Sequence, residues 1–209
     1  PAGHVFVEDG VLYRTVNHCY RPHYDRLVES GLSRVLVDAG LLIAHVEAPA
    51  PSGNAYGRPA YRTIKPEPVP FISYPYEWCF SQLKDAALAT LQIQRTALAH
   101  DLSLKDCSAY NIQFHQGRPL LIDTLSFECY REGRPWPAYR QFCQHFLAPL
   151  AVMALNDHRL NQLLRIHIDG LPLDLASSLL PWKSRLSLGR LLHLHLHVLG
   201  GRGLSWPPG

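Results

Sequence analysis

No apolar stretch in this chain reaches the ~18–20 residues needed to cross a bilayer; Ser, His, Arg or Asp interrupts every candidate. A membrane-spanning helix is thereby excluded. Strong charge of one sign is also missing: 20 Lys+Arg against 17 Asp+Glu leave a formal +3, too small an excess to act as a nucleic-acid or membrane footprint. The five cysteines, Cys19, Cys79, Cys107, Cys129 and Cys143, are odd in number and form no CxxC or other close pair. That spacing argues against a disulfide framework and a structural zinc site, and a reducing cytoplasm is the expected compartment. There is no internal repeat and no low-complexity tract. The opening Pro1-Ala2-Gly3-His4 lacks a basic n-region, an apolar h-region and an initiator Met. A signal peptide is therefore not expected, and the N-terminus is expected to be processed, trimmed or excised from something larger.

What is present is 209 residues with 47% hydrophobic, 10% aromatic and 18% charged side chains, which fits one globular domain or a two-lobed unit. Pro and Gly gather at 49–75, 117–119, 133–137 and 200–209, marking connections. Residues 4–16 alternate around Asp9-Gly10 and predict a β-hairpin. Pro22 can open a helix, and Tyr24, Leu27, Val28, Leu32, Val35 and Leu36 recur at helical spacing, predicting one or two short helices. Leu41 to Val46 reads as a strand. Arg62 to Lys65 and Val69 to Ile72 form a second extended stretch broken by Pro.

The segment 77–100 has no Gly or Pro and places Phe80, Leu83, Ala87, Leu91 and Leu98 on one face, predicting a long helix. A polar loop is expected at 101–111, then a strand pair, Ile112 to Phe114 and Pro119 to Ile122, around Gly117. Asp123 ends the second strand. Residues 138–195 are mostly helical by period.

The segment Leu104-Lys105-Asp106-Cys107-Ser108-Ala109-Tyr110-Asn111 sets an Asp five positions before an Asn, followed by a hairpin and a second Asp. This order resembles the catalytic loop and metal-binding Asp of the kinase-like superfamily. The resemblance implies an α+β, protein-kinase-like two-lobed fold, with a reduced β-rich N-lobe (1–75), a mainly helical C-lobe (76–199) and a linker or truncated tail (200–209). It also implies that Asp106 orients or deprotonates an acceptor hydroxyl, while Asn111 and Asp123 hold Mg2+ that bridges the phosphates of ATP. Hard oxygen ligands suit that ion. Each residue taken singly also has a structural use, as a turn cap or a left-handed residue before a hairpin.

The sequence departs from the kinase pattern at several points. Leu104-Lys105 stands in place of His-Arg, Asp123-Thr124-Leu125 lacks a Gly, no Ala-Pro-Glu follows, and only Gly3 and Gly10 lie in the first thirty residues. For the nucleotide-anchoring Lys the resemblance offers Arg14, with Glu29 as its carboxylate partner, or Lys65. The mouth of the long helix, Tyr74 to Trp78 with Glu77, would lie at the hinge and offer backbone groups to adenine. In the blander alternative Glu77 complements the helix dipole and Trp78 packs inward.

Phe71 to Leu88, Leu104 to Phe114, Asp123 to Glu128 and Tyr139 to Phe146 resemble bacterial nodulation-type proteins labelled class I S-adenosylmethionine-dependent methyltransferases. That resemblance implies a kinase-like accessory domain of a methyltransferase, binding Mg-ATP and transferring phosphoryl groups, or else a non-catalytic pseudokinase-like scaffold that positions a substrate or partner. S-adenosylmethionine itself would bind only in a downstream domain. The Gly200-Gly201-Arg202-Gly203 cluster is followed by too little chain for a strand–Gly–helix cofactor turn. Elsewhere His193, His195 and His197 alternate and raise a metal site, set against a half-buried amphipathic segment. Cys107 reads as a reactive thiol or, with no His partner, a buried small hydrophobe. Ser108 and Ser126 match no nucleophile elbow.

Overall fold

The computed structural model describes residues 1–49 and 60–195. It is a mixed α/β structure, and the chain divides into two compact units. Unit 1 comprises Pro1–Ile72, Ala89–Asp106 and Asn111–Pro137; unit 2 comprises Ser73–Leu88, Cys107–Tyr110 and Ala138–Gly209. The division is discontinuous: the second half of the long helix with Leu102–Asp106, and the hairpin from Asn111 onward, group with the N-terminal strands, while Cys107–Tyr110 group with unit 2.

In unit 1, Asp9 and Gly10 both take positive φ, 50° and 75°, the geometry of a two-residue hairpin turn. They join β1 (Val5–Glu8) to β2 (Val11–Val16). β3 (His45–Ala48) and β4 (Arg62–Pro66) complete an antiparallel sheet in the order β1-β2-β4-β3. Two short helices, α1 (Arg21–Glu29) and α2 (Leu32–Asp38), lie between β2 and β3. Pro22 occupies the first turn of α1, where its missing N–H costs no helical bond. Val16, Tyr20, Tyr24, Ile64 and Leu125 form one apolar cluster of this unit.

The strand expected at 41–46 begins later, at His45. Leu42 instead makes one parallel bridge to Leu121, and Ile43 N–H donates to the Leu121 carbonyl at 2.9 Å. Residues 69–72 form no strand.

The long helix is α3 (Phe80–Leu98), shorter at each end than its apolar period suggested. The expected polar loop after it contains a fully buried strand, β5 (Leu102–Leu104). Its polar groups are met from α3: Gln94 donates to Ser103 Oγ at 3.1 Å and accepts from Leu104 N–H at 2.7 Å. β6 (Ile112–His115) and β7 (Arg118–Leu121) turn at Gln116-Gly117, φ 51° and 77°. β8 (Phe127–Cys129), not foreseen from sequence, pairs with β5.

Unit 2 is built from short helical pieces. Tyr139–Phe142 (α4), the π-helical Cys143–Leu147 and Ala148–Leu155 (α5) run on without a break. α6 (Leu163–Ile166) and α7 (Leu173–Leu179) follow. Cys143, Ala148, Val152, Leu171, Ala176 and Leu194 are among the residues of its core.

Three histidines are held below their ordinary pKa chiefly by burial: His23, helped by nearby Lys105; His45; and His195, helped by Arg185 and Arg190. His23 Nδ1 accepts from Cys129 N–H at 3.0 Å, a bond that protonation of that nitrogen would break. Because the folded values lie below the unfolded one, unfolding takes up protons in mild acid. Stability is therefore expected to be complete above about pH 6.5 and to decline as pH falls toward 5. Melting curves across that range check this, and His195→Gln should flatten the decline.

Candidate functional site

The site belongs to unit 1 and is built by two short ladders. In the first, β5 pairs antiparallel with β8, with Leu104 opposite Phe127. As the chain leaves β5, Lys105 and Asp106 N–H both donate to the Ser126 carbonyl, at 2.9 and 3.4 Å. In the second ladder Ile112 faces Leu121, and Ile122 N–H donates to the Asn111 carbonyl at 2.8 Å, bringing Asn111 next to the strand end that carries Asp123. The Ser126 hydroxyl then donates to Asp123 Oδ2 at 3.0 Å. Asp106, Asn111 and Asp123 are thus tied together through Ser126 and Ile122.

Arg14 joins them from β2. It faces Ile64 across the ladder and so shares that residue's face of the sheet, and its Nη2 lies 2.8 Å from Asp123 Oδ1. The two side chains are only 22% and 15% exposed, so solvent screens the pair less than a surface salt bridge. Oδ1 also accepts from Leu125 N–H at 3.0 Å.

Tyr20 donates its hydroxyl to the Phe127 carbonyl at 2.6 Å. Burial, with the Asp123 carboxylate adding to it, raises this phenol far above its usual pKa, so it remains a donor. The Lys105 ammonium lies 4.3 Å from the centre of the Tyr20 ring. Burial lowers the Lys105 pKa, while Glu128, Asp123 and Asp106 oppose the shift. Tyr20 is a site residue that no motif marks, and Ser126, within the resemblance segment Asp123 to Glu128, has no role there that the sequence assigns.

The other sequence candidates lie elsewhere. Arg14 pairs with Asp123 and not with Glu29, which is exposed at the end of α1. Lys65 is exposed on β4 beside buried Ile64, and strand alternation turns it to the face opposite Arg14.

Glu77 belongs to unit 2, where its carboxylate accepts from Tyr74 N–H at 2.8 Å and closes its own 3-10 turn, Pro75–Glu77. Several backbone groups of the segment Tyr74 to Trp78 already have partners within unit 2. Glu77 N–H is spent on Tyr74 and Trp78 N–H on Pro75, while the carbonyls of Tyr76 and Trp78 each accept from Asn161 Nδ2 at 2.9 Å. Trp78 packs inward at 1% exposure, as the blander alternative has it.

Cys107 is buried, with its thiol on the Ala138 carbonyl at 3.2 Å. His195 hydrogen-bonds Ser177 Oγ at 2.7 Å and Ser184 Oγ at 2.9 Å, and His193 bonds the Tyr139 hydroxyl. His197 and the 200–209 tail lie outside the described residues.

Mg2+ is usually held by one or two protein oxygens, with water and phosphate oxygens completing its shell. Asp123 already accepts from Arg14, Leu125 and Ser126. The buried atoms without partners here are Asn111 Nδ2 and Arg14 Nε, both donors. Among the described residues no group of three or more His, Cys, Asp or Glu is arranged to hold a metal. The unpartnered groups that the protein itself offers here are therefore donors, which suit an anion.

No helix of the described residues is long and apolar enough to cross a membrane. No family model matches the chain. Over 172 residues it is 34% identical to nodulation protein NoeA of Rhizobium meliloti (strain 1021), a match covering 82% of the chain and 36% of NoeA. The chain thus spans about a third of the length of this curated relative, and the resemblance to nodulation-type proteins seen in its sequence extends over most of its residues.

Proposed function

We propose that this chain is a kinase-like accessory domain of a larger protein, and that the loop carrying Asp106 and Asn111, together with Asp123 after the following hairpin, binds the phosphates of a nucleotide, ATP being the first to test. The observation that carries the reading is the convergence of these three residues and Arg14 on one place in unit 1, bracketed by the β5–β8 ladder and the β6–β7 hairpin. A kinase-like catalytic loop uses the same order of strand, loop, hairpin and carboxylate. On this reading Asp106, half-exposed at the loop, faces the position of an acceptor hydroxyl. The remainder of the parent protein is proposed to be an S-adenosylmethionine-dependent methyltransferase; this chain would stand beside that activity and not perform it.

A second reading has its own observation. Asp123 is already engaged by Arg14, Leu125 and Ser126 within the protein, which suits a pseudokinase-like scaffold that binds no nucleotide and positions a substrate or partner.

Thermal-shift titration with ATP, with and without Mg2+, separates the two. A ligand at a hundred times its Kd adds about 2.7 kcal/mol, or about 5–10 °C for a chain of this size. Nucleotide binding predicts a shift of that order that Asn111→Ala reduces; no shift with any nucleotide would sink the nucleotide reading and leave the scaffold reading standing.

A further inference from the structure

The two buried donors without acceptors, Arg14 Nε and Asn111 Nδ2, both belong to residues next to Asp123. Arg14 reaches it through the 2.8 Å ion pair, and the Asn111 carbonyl holds the N–H of Ile122, the residue before it. A buried N–H that has left water and found no acceptor is costly, and native proteins keep few of them. Two such donors on residues that both adjoin Asp123 point to an acceptor beside it.

The chemistry of Arg14 says which acceptor. A guanidinium is a planar fork with donors on more than one edge and a permanent charge. Here Nη2 is bound to a carboxylate while Nε remains open. In phosphoryl-transfer sites a divalent cation bridges a carboxylate to phosphate oxygens. A guanidinium with one edge on Asp123 and another on a phosphate oxygen makes the same bridge.

We infer that Arg14 takes the place of the divalent cation, so that a phosphate-bearing ligand binds here directly, on Arg14 Nε and Asn111 Nδ2, without metal. The inference rests on the nucleotide-phosphate reading above and specifies how that site is charged. Lys105, set among Asp106, Asp123 and Glu128, brings the second positive charge of the region. It also accounts for Asp123 being neutralised already within the protein, a state that would hinder a site waiting for Mg2+.

The test uses the full chain stripped with EDTA and titrated calorimetrically with inorganic pyrophosphate and with ATP, in EDTA and then in Mg2+. Direct binding predicts comparable affinity in the two buffers. Arg14→Lys, which keeps the charge and loses the fork, should weaken binding at least tenfold, and Mg2+ should not restore it. Asn111→Ala should weaken it as well, giving a second variant should the first fold poorly by circular dichroism. Binding seen only with Mg2+ would overturn the inference while leaving the nucleotide reading standing. Binding in EDTA that neither variant alters would also overturn it, since the phosphate would then sit elsewhere. If neither ligand binds in either buffer, both readings fall.

Discussion

Phe127→Ala is expected to lower the stability of the chain by about 3–5 kcal/mol, as removal of a buried aromatic ring does where the surroundings cannot collapse. Phe127 is 0% exposed and lies on β8 directly opposite Leu104, itself 1% exposed. Three residues of strand on each side offer few backbone bonds, so side-chain packing must hold the ladder. The cavity would open beneath the site, because the Phe127 carbonyl anchors the Tyr20 hydroxyl at 2.6 Å and the Lys105 ammonium lies on the Tyr20 ring. Urea unfolding measures the loss, with the midpoint falling at an unchanged slope. Phe127→Leu should cost less than half as much, since volume-conserving apolar changes are tolerated best. A loss under about 1 kcal/mol for Phe127→Ala would contradict the packing described.

Trp78→Ala is expected to cost a similar about 3–5 kcal/mol. Trp78 is among the largest fully buried side chains, at 1% exposure. Its indole N–H donates to Ser73 Oγ at 2.9 Å, and its carbonyl accepts from Asn161 Nδ2 at 2.9 Å. The truncation removes ring area and one hydrogen bond together, and it loosens the turn that Glu77 closes. Against a total stability of roughly 5–15 kcal/mol for a native domain, such a loss is a large fraction. Trp78→Phe keeps most of the apolar volume and gives up the N–H, so it should cost about 1–2 kcal/mol. Equal losses for the two substitutions would show that the hydrogen bond, and not the ring's burial, is what matters at this position.

Several features were legible because their causes are local. The Asp9-Gly10 and Gln116-Gly117 turns form where two successive residues accept positive φ, and each fixes a hairpin register. The long helix announced itself by period, and its ends frayed inward from the sequence estimate, as boundaries usually do. β5 and β8 escaped notice because three residues are too short to show an alternation, and Leu102-Ser103-Leu104 is buried throughout instead of on alternate positions. The partners of the Tyr76 and Trp78 carbonyls are not legible in the sequence, because Asn161 lies far along the chain.

The sequence by itself determined the two tight hairpins, the long helix and the order of Asp106, Asn111, strand pair and Asp123, all set by turn chemistry and periodicity over a few neighbouring residues. Only the tertiary structure decided that Arg14 meets Asp123 and not Glu29, that Lys65 faces away, and that Asn111 and Arg14 keep buried donors to spare. The reason is that a side chain's face depends on the register of its strand against partners distant in sequence, and a one-residue slip would reverse it. Once β2 pairs with β4 so that Arg14 opposes Ile64, the guanidinium and the carboxylate at the end of β7 can meet within 2.8 Å, and the charge of the site follows from that contact.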